Sequence, residues 1–324
     1  MSETQQRAAL QARLDAVDEG AQRTHTACGE GALVWRRWAR GSFEANGGVA
    51  NDGTASSRPL APRPVILVHG GSGSWTHWIK TIPALATTRD VWCVDLPGLG
   101  DSAMPDAPHV PMRAGLVVAE GIEALFPAGA LSHEGAHEAA RPHVVGFSFG
   151  GHIATLAAAL LGHRIASLTL TGCAAMGLPH HDFTFAKEHP SMDAAAREAV
   201  HRANLAMLMF ADIANIDALA LHIQATNVRR ARFRSRVYAR GAQLAETLPA
   251  VRVPVNAVWG ARDQIALPSV DARFDVIARS HPQLIARAVP DAGHWAMYEN
   301  ADAYNEALIE VLAAMDAISS DALP

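Results

Sequence analysis

At 324 residues, 49% hydrophobic and 18% charged, the chain has the length and apolar content for one large domain or a core carrying an inserted subdomain. Its net charge of −5 argues against a nucleic-acid partner, and three widely spaced cysteines, Cys28, Cys93 and Cys173, argue against a disulfide framework or a C-x-x-C metal clasp. The opening Met1-Ser2-Glu3-Thr4-Gln5-Gln6-Arg7 is not followed by the apolar core of a secretory signal, and residues 1–25 read as a polar helical extension. Residues 33–39 form an early strand, and the Gly-, Asn-, Ser- and Pro-rich stretch 41–64 reads as a long surface loop. Val65-Ile66-Leu67-Val68, Val91-Trp92-Cys93-Val94, and the segments 143–146, 167–170, 255–259 and 286–289 are short apolar strands. Helical stretches near 79–86, 112–125, 151–160 and 302–315 separate them. Continuous apolar strands alternating with helices predict an α/β fold, a mostly parallel central sheet covered by helices on both faces. Residues 180–248 break the alternation: they are rich in Ala, Arg, His and Met with helical periodicity, and Pro249 and Pro254 mark their exit. The expected organisation is a core of 26–178 and 250–324 with a helical cap, 179–249, inserted in it.

The turns after the strands carry the chemistry. Gly146-Phe147-Ser148-Phe149-Gly150, between a strand and an Ala-rich helix, has the G-x-S-x-G form of a nucleophile elbow. Such a turn crowds the positions two before and two after the serine, so both must lack a side chain. A serine hydroxyl needs a base to take its proton and an acid to orient that base. Asp263 follows the strand 255–259, and His294 lies in the turn after the last strand; Asp291, close before the histidine, reads as a turn-shaping residue. Ser148, Asp263 and His294 are therefore the candidate catalytic residues. His69-Gly70-Gly71 follows another strand and offers backbone N–H groups for an oxyanion hole, where one donor is worth ~3–4 kcal/mol of barrier. The expected pair is Gly71 and Phe149, with Ser72 the substitute for Gly71. No metal and no organic cofactor is implied.

On these residues the chain resembles the α/β-hydrolases over nearly all of 26–320. The resemblance rests on His69-Gly70-Gly71, on 95–102, on Gly146 to Gly151, on 260–263 and on Gly293-His294. It implies the order Ser148, Asp263, His294 for the triad. Two pieces further resemble the carbon–carbon bond hydrolases that act on meta-cleavage products: Gly73-Ser74-Trp75-Thr76-His77-Trp78 and Gly293-His294-Trp295-Ala296-Met297-Tyr298-Glu299. Phe147 and His77 stand where those enzymes usually carry Asn, which leaves the bond cleaved open between a carboxylic ester and a carbon–carbon bond. A ligand receptor on the same fold is the reading from another class.

Substrate contacts are expected from Gly70, Ser72, His77, Phe147 and Trp295, and Trp75 and Trp78 are further candidates for the acyl pocket, with plain packing the equal alternative for each of the three tryptophans. Six arginines, Arg229, Arg230, Arg232, Arg234, Arg236 and Arg240, crowd the cap. The expectation of a solvated helix face stands beside a sharper one, in which Arg229 or Arg230 pairs with a substrate carboxylate. Leu205, Met207, Leu208, Met209 and Phe210 form an apolar cluster that reads as helical core packing and is compatible with a roof over Ser148. No apolar run reaches the ~20 residues of a membrane span. A cytoplasmic enzyme acting on a small molecule is expected, with no nucleic-acid or membrane partner and with self-association open.

Overall fold

The computed structural model describes residues 3–43, 62–127 and 141–318. Its elements run α1 (Glu3–Asp18), β1 (Gln22–Cys28), β2 (Gly31–Trp38), β3 (Val65–Val68), α2 (Ile82–Ala86), β4 (Val91–Val94), α3 (Pro111–Leu125), β5 (His143–Phe147) and α4 (Phe149–Leu161). They continue through β6 (Ser167–Thr171), α5 (Ala194–Leu208), α6 (Ala218–Arg230), α7 (Gln243–Thr247), β7 (Val255–Gly260), α8 (Val270–Ala278), β8 (Ala286–Val289), α9 (Ala296–Glu299) and α10 (Ala301–Asp316).

Among the described residues eight strands make one sheet in the order β1-β2-β4-β3-β5-β6-β7-β8. The pairs β1–β2 and β2–β4 are antiparallel, and every pair from β4 to β8 is parallel. The period-two alternation of a strand divides the core between two faces. Ile66, Val68, Val94 and Val144 face a cluster with α3 and α4, while Val65, Leu67, Val91 and Val145 face the cluster of α2 and α10. A sheet buried on both sides accounts for the uninterrupted apolar strands.

The first strand differs from the sequence expectation. The helix ends at Asp18, the chain turns through Gly20, and Gln22–Cys28 pairs with β2 across Gly29 and Glu30. Residues 22–25 are thus strand, not helix: alternation is weak on this edge, but Gly29 at φ +55° supplies the hairpin turn. α2 begins at Ile82 because the preceding Trp75–Trp78 forms a separate 3-10 turn, with Ser74 accepting from the Thr76 N–H. The loop expected over 41–64 lies mostly outside the described residues.

Between β6 and β7 the chain leaves the sheet. An irregular strap over 172–193 leads to α5, whose first turn Asp193 caps, and Asp217 caps α6 in the same way. A 3-10 turn, Ser235–Tyr238, and α7 return the chain to β7. The α6 side of this insert is tied firmly to the core. Asn227 accepts from Ser74 Oγ (2.8 Å) and donates to Thr76 Oγ1 (3.1 Å), and the Arg232 N–H donates to the Gly98 carbonyl at 2.9 Å. Arg230 pairs with Asp101, which also meets the buried Arg36 beside Asp95.

Candidate active site

Ser148 stands between β5 and α4 at φ +53°, a strained conformation for any residue with a side chain. A Cβ on Gly146 would lie 2.6 Å from the Gly151 Cα, and one on Gly150 would lie 2.2 Å from the His69 carbonyl oxygen. Both glycines are thus required by contact with neighbouring backbone. The Ser148 N–H donates to the Thr171 carbonyl at 2.8 Å, which fixes the turn to β6.

His294, in the turn after β8, spans the gap between the serine and an acid. Its Nε2 is 3.0 Å from Ser148 Oγ, and its Nδ1 is 3.0 and 3.2 Å from the two carboxylate oxygens of Asp263. Asp263 is held in turn by the Trp259 indole N–H (2.9 Å) and the Ile265 N–H (3.0 Å), so both oxygens have a second partner. Asp291 is exposed, takes φ +51°, and makes the bend before the histidine instead. Glu299 accepts from the N–H groups of Gly293, Ala211 and Asp212, joining the histidine turn to the insert.

Two buried histidines shape the loop after β3. The Leu96 N–H donates to His69 Nε2 (2.9 Å), which leaves the proton on Nδ1 to donate to the Gly70 carbonyl at 2.7 Å. The Gly70 N–H donates to His77 Nδ1 at 3.3 Å, so His77 carries its proton on Nε2. Burial lowers the pKa of both, His77 well below the usual range, and keeps the rings neutral. With Gly70 engaged, the N–H groups of Gly71, Ser72 and Phe149 remain without a hydrogen-bond partner among the described residues.

A cavity of about 250 Å³ opens above Ser148. Gly70, Gly71, Ser72, His77, Phe147 and Phe149 line its floor. Phe147 packs against His294 with ring centroids 4.9 Å apart and against His77 at 5.5 Å. From the insert come Leu208 and Met209, as the apolar cluster suggested, while Leu205 and Phe210 are packed into the core below.

Two expected substrate contacts are corrected, the cap arginines and Trp295. Arg229 and Arg230 do not line the cavity: Arg230 runs to Asp101, and Arg229 faces a separate groove beside α1 and α5. They end α6 on the side away from Gln224, the α6 residue that does reach the cavity. Trp295 lies beneath the site, where its indole N–H donates to the His77 carbonyl (2.9 Å) and its ring packs on the imidazole. Trp75 and Trp78 are packing residues as well, against Trp38 and against Phe147 and Tyr304.

Sequence reasoning missed other lining residues: His152, Phe183, Phe185, Ser235, Arg236 and Tyr238. His152 had a signal, since it stands one helical turn beyond Ser148 on the same face. Its ring is buried without a charged neighbour, and its pKa is pushed down to about 4. The others lie on the strap and on a 3-10 turn, where no periodicity marks a face.

Among the described residues no group of three or more His, Cys, Asp or Glu side chains is placed to hold a metal ion. One histidine pair does have ligand spacing, in His133-Glu134-Gly135-Ala136-His137, and it lies outside the described residues. No described helix is long and apolar enough to cross a membrane.

The family model described as the alpha/beta hydrolase family matches residues 65–307. The chain belongs to the alpha/beta hydrolase family. The match runs from β3 into α10 and takes in the whole insert. This alpha/beta hydrolase is 29% identical over 258 residues to the dihydrolipoyllysine-residue acetyltransferase component of the acetoin cleaving system of Pseudomonas putida. That match covers 77% of this chain and 63% of the relative, so the chain spans under two thirds of that protein's length. It is 25% identical over 270 residues to the 2-hydroxy-6-oxo-6-phenylhexa-2,4-dienoate hydrolase of Burkholderia cepacia, covering 77% of this chain and 87% of the other. Among solved structures it is similar to the enol-lactonase from Burkholderia xenovorans LB400, with a TM-score of 0.62, 20% identity, and coverage of 90% and 100% of the two chains.

Proposed function

We propose that this alpha/beta hydrolase is a serine hydrolase that cleaves small to medium, largely apolar acyl substrates, carboxylic esters first, through an acyl-enzyme. The observation that carries the reading is His294, within 3.0 Å of both the Ser148 hydroxyl and the Asp263 carboxylate. In this reading the Ser148 oxygen attacks the carbonyl carbon while its proton passes to His294 Nε2. The carbonyl π electrons move to the oxygen, where the Gly71 and Phe149 N–H groups meet the charge, with Ser72 the alternative to Gly71. When the carbonyl re-forms, the bond to the leaving oxygen breaks and His294 returns its proton to that oxygen. Water then repeats the sequence on the acyl-Ser148 ester and releases the acid. Asp263 holds the imidazole in the tautomer with its proton on Nδ1 and stabilises the imidazolium.

The insert, 179–249, serves as the cap: Leu208 and Met209 make the roof apolar and exclude water from the acyl group. Gly70, Ser72, His77 and Phe147 are the substrate contacts of the floor. The scheme calls on no metal or organic cofactor, and the partner it needs is a small molecule.

A second reading keeps the machinery and changes the bond, to carbon–carbon cleavage of a dienoate diketone. The Burkholderia cepacia relative favours it by its name and by the extent of the match. Phe147 favours the ester, since it lays an apolar ring beside His294. Turnover of a nitrophenyl ester series and of a dienoate ring-fission product, each with Ser148→Ala as control, separates the readings. Sustained ester turnover that vanishes in Ser148→Ala is expected; turnover of the dienoate alone would move the assignment to the second reading. Ester turnover surviving in Ser148→Ala would contradict both.

A further inference from the structure

At Ser235 the insert reaches the loop beside Ser148. Ser235 is 4% exposed and lines the cavity, and its Oγ is closed to solvent without a hydrogen-bond partner among the described residues. It sits directly on the loop after β3: a Cβ built on Gly71 would lie 2.3 Å from Ser235 Oγ, 2.9 Å from Ser235 Cβ and 3.4 Å from the Phe149 Cβ. The absent side chain at Gly71 is what admits the serine. Its neighbours in the insert hold the other side, with Phe233 5.6 Å and Tyr238 6.5 Å from the Phe149 ring. Ser235 therefore stands against Gly71 while the residues around it pack on Phe149, two of the three residues here whose N–H groups have no partner among the described residues.

We propose that Ser235 is a third donor of the oxyanion hole, its side-chain O–H brought by the insert to the oxygen that Gly71 and Phe149 receive. The proposal rests on the serine-hydrolase reading above. A buried hydroxyl with no partner destabilises a fold, and native proteins seldom leave one without a use. A donor unpaired at rest and satisfied only when charge appears on the substrate oxygen stabilises the transition state and not the ground state, which is the condition for raising kcat. Serine suits the task at this contact, since its small side chain fits against the Gly71 backbone and its hydroxyl turns freely to a new acceptor. No bond is made or broken at Ser235; it donates a hydrogen bond and keeps its proton throughout.

The test compares wild type with Ser235→Ala on a nitrophenyl butanoate and on an alkylboronic acid. The boronic acid adds to Ser148 Oγ to give a tetrahedral, negatively charged boron, one of whose oxygens takes the oxyanion position. Loss of one donor is expected to lower kcat by about 10²-fold. KM should stay within about threefold, the boronic acid should bind more weakly by a factor similar to the fall in kcat/KM, and the melting temperature should hold or rise. Ser235→Cys keeps the shape of the side chain with a somewhat larger atom and weakens the donor, is expected to follow the same pattern, and carries the test if the alanine variant does not fold. Unchanged kcat and boronate affinity would overturn the role, as would a fall in kcat that comes with a lower melting temperature and an unchanged boronate affinity. If wild type itself neither forms the boronate adduct nor turns over ester, the Ser148 reading fails and the Ser235 role falls with it.

Discussion

The loops at the carboxyl ends of the strands and the helical insert make the two halves of one cavity in different ways. On the sheet side, Ser148, Asp263 and His294 each sit at a strand end, and each is fixed by backbone or side-chain bonds to the next element. On the insert side, most cavity residues sit on the strap or the 3-10 turn, held by ring packings, by exposed ion pairs such as Asp182–Arg240 and by a few hydrogen bonds such as that of the Ala175 N–H to the Ala239 carbonyl. The sheet edge is preorganised by hydrogen bonds that leave little freedom. The insert is anchored along α6 and irregular along the strap. Chemistry placed on the first half should be intolerant of change, and recognition placed on the second should vary with modest cost.

The largest effect expected from this contrast is at Asp263. Asp263→Asn keeps the size of the side chain and the Ile265 contact but no longer fixes the Nδ1 proton of His294, so kcat for ester hydrolysis should fall by about 10⁴-fold. Steady-state kinetics beside a thermal melt checks it; a fall of less than tenfold with an intact fold would mean that the acid does not orient the base.

A smaller effect is set by the buried imidazoles. His69, His77 and His152 are all held neutral by burial, His152 at about 4. In the unfolded chain each takes up a proton near pH 6.5, so between that pH and the folded value the unfolded state binds more protons and stability falls as pH falls. For His152 the loss is spread from about pH 6.5 to about 4 and amounts to roughly 2–3 kcal/mol. Denaturant unfolding across this range should show it, and His152→Leu should flatten the curve by about that amount. A His152→Leu curve parallel to wild type would show that the ring does not stay neutral on folding.

The smallest effect is expected at Arg230. Its ion pair with Asp101 is about half exposed, so Arg230→Ala should cost under about 1 kcal/mol of stability. It should also leave KM equal on acidic and neutral esters. A selective rise in KM for the acidic ester would return Arg230 to the cavity and undo its placement on the α6 anchor.

The same contrast explains what could be read from the chain before its structure. Strand ends were legible because Val65-Ile66-Leu67-Val68 and its counterparts are short apolar runs, each closed by Gly or a polar turn. Gly146 and Gly150 were legible because one steric demand excludes every other residue at both positions. β1 was missed because its alternation is shallow on an exposed edge. The arginines were misassigned because clustering in sequence says nothing of direction: Arg230 points to Asp101 and Arg236 stacks on Phe185, with only five residues between them. Ser235 carried no signal at all. Its place depends on a long return of the chain that packs it on Gly71, and only the folded arrangement brings the two together.

The most direct test of the central claim is the site of covalent labelling by a fluorophosphonate, read by intact mass and peptide mapping. Attack by an activated Ser148 predicts one adduct per chain, located on Ser148, abolished in Ser148→Ala and strongly slowed in His294→Ala. Labelling at another residue, or labelling of Ser148 at the same rate without His294, would contradict the account.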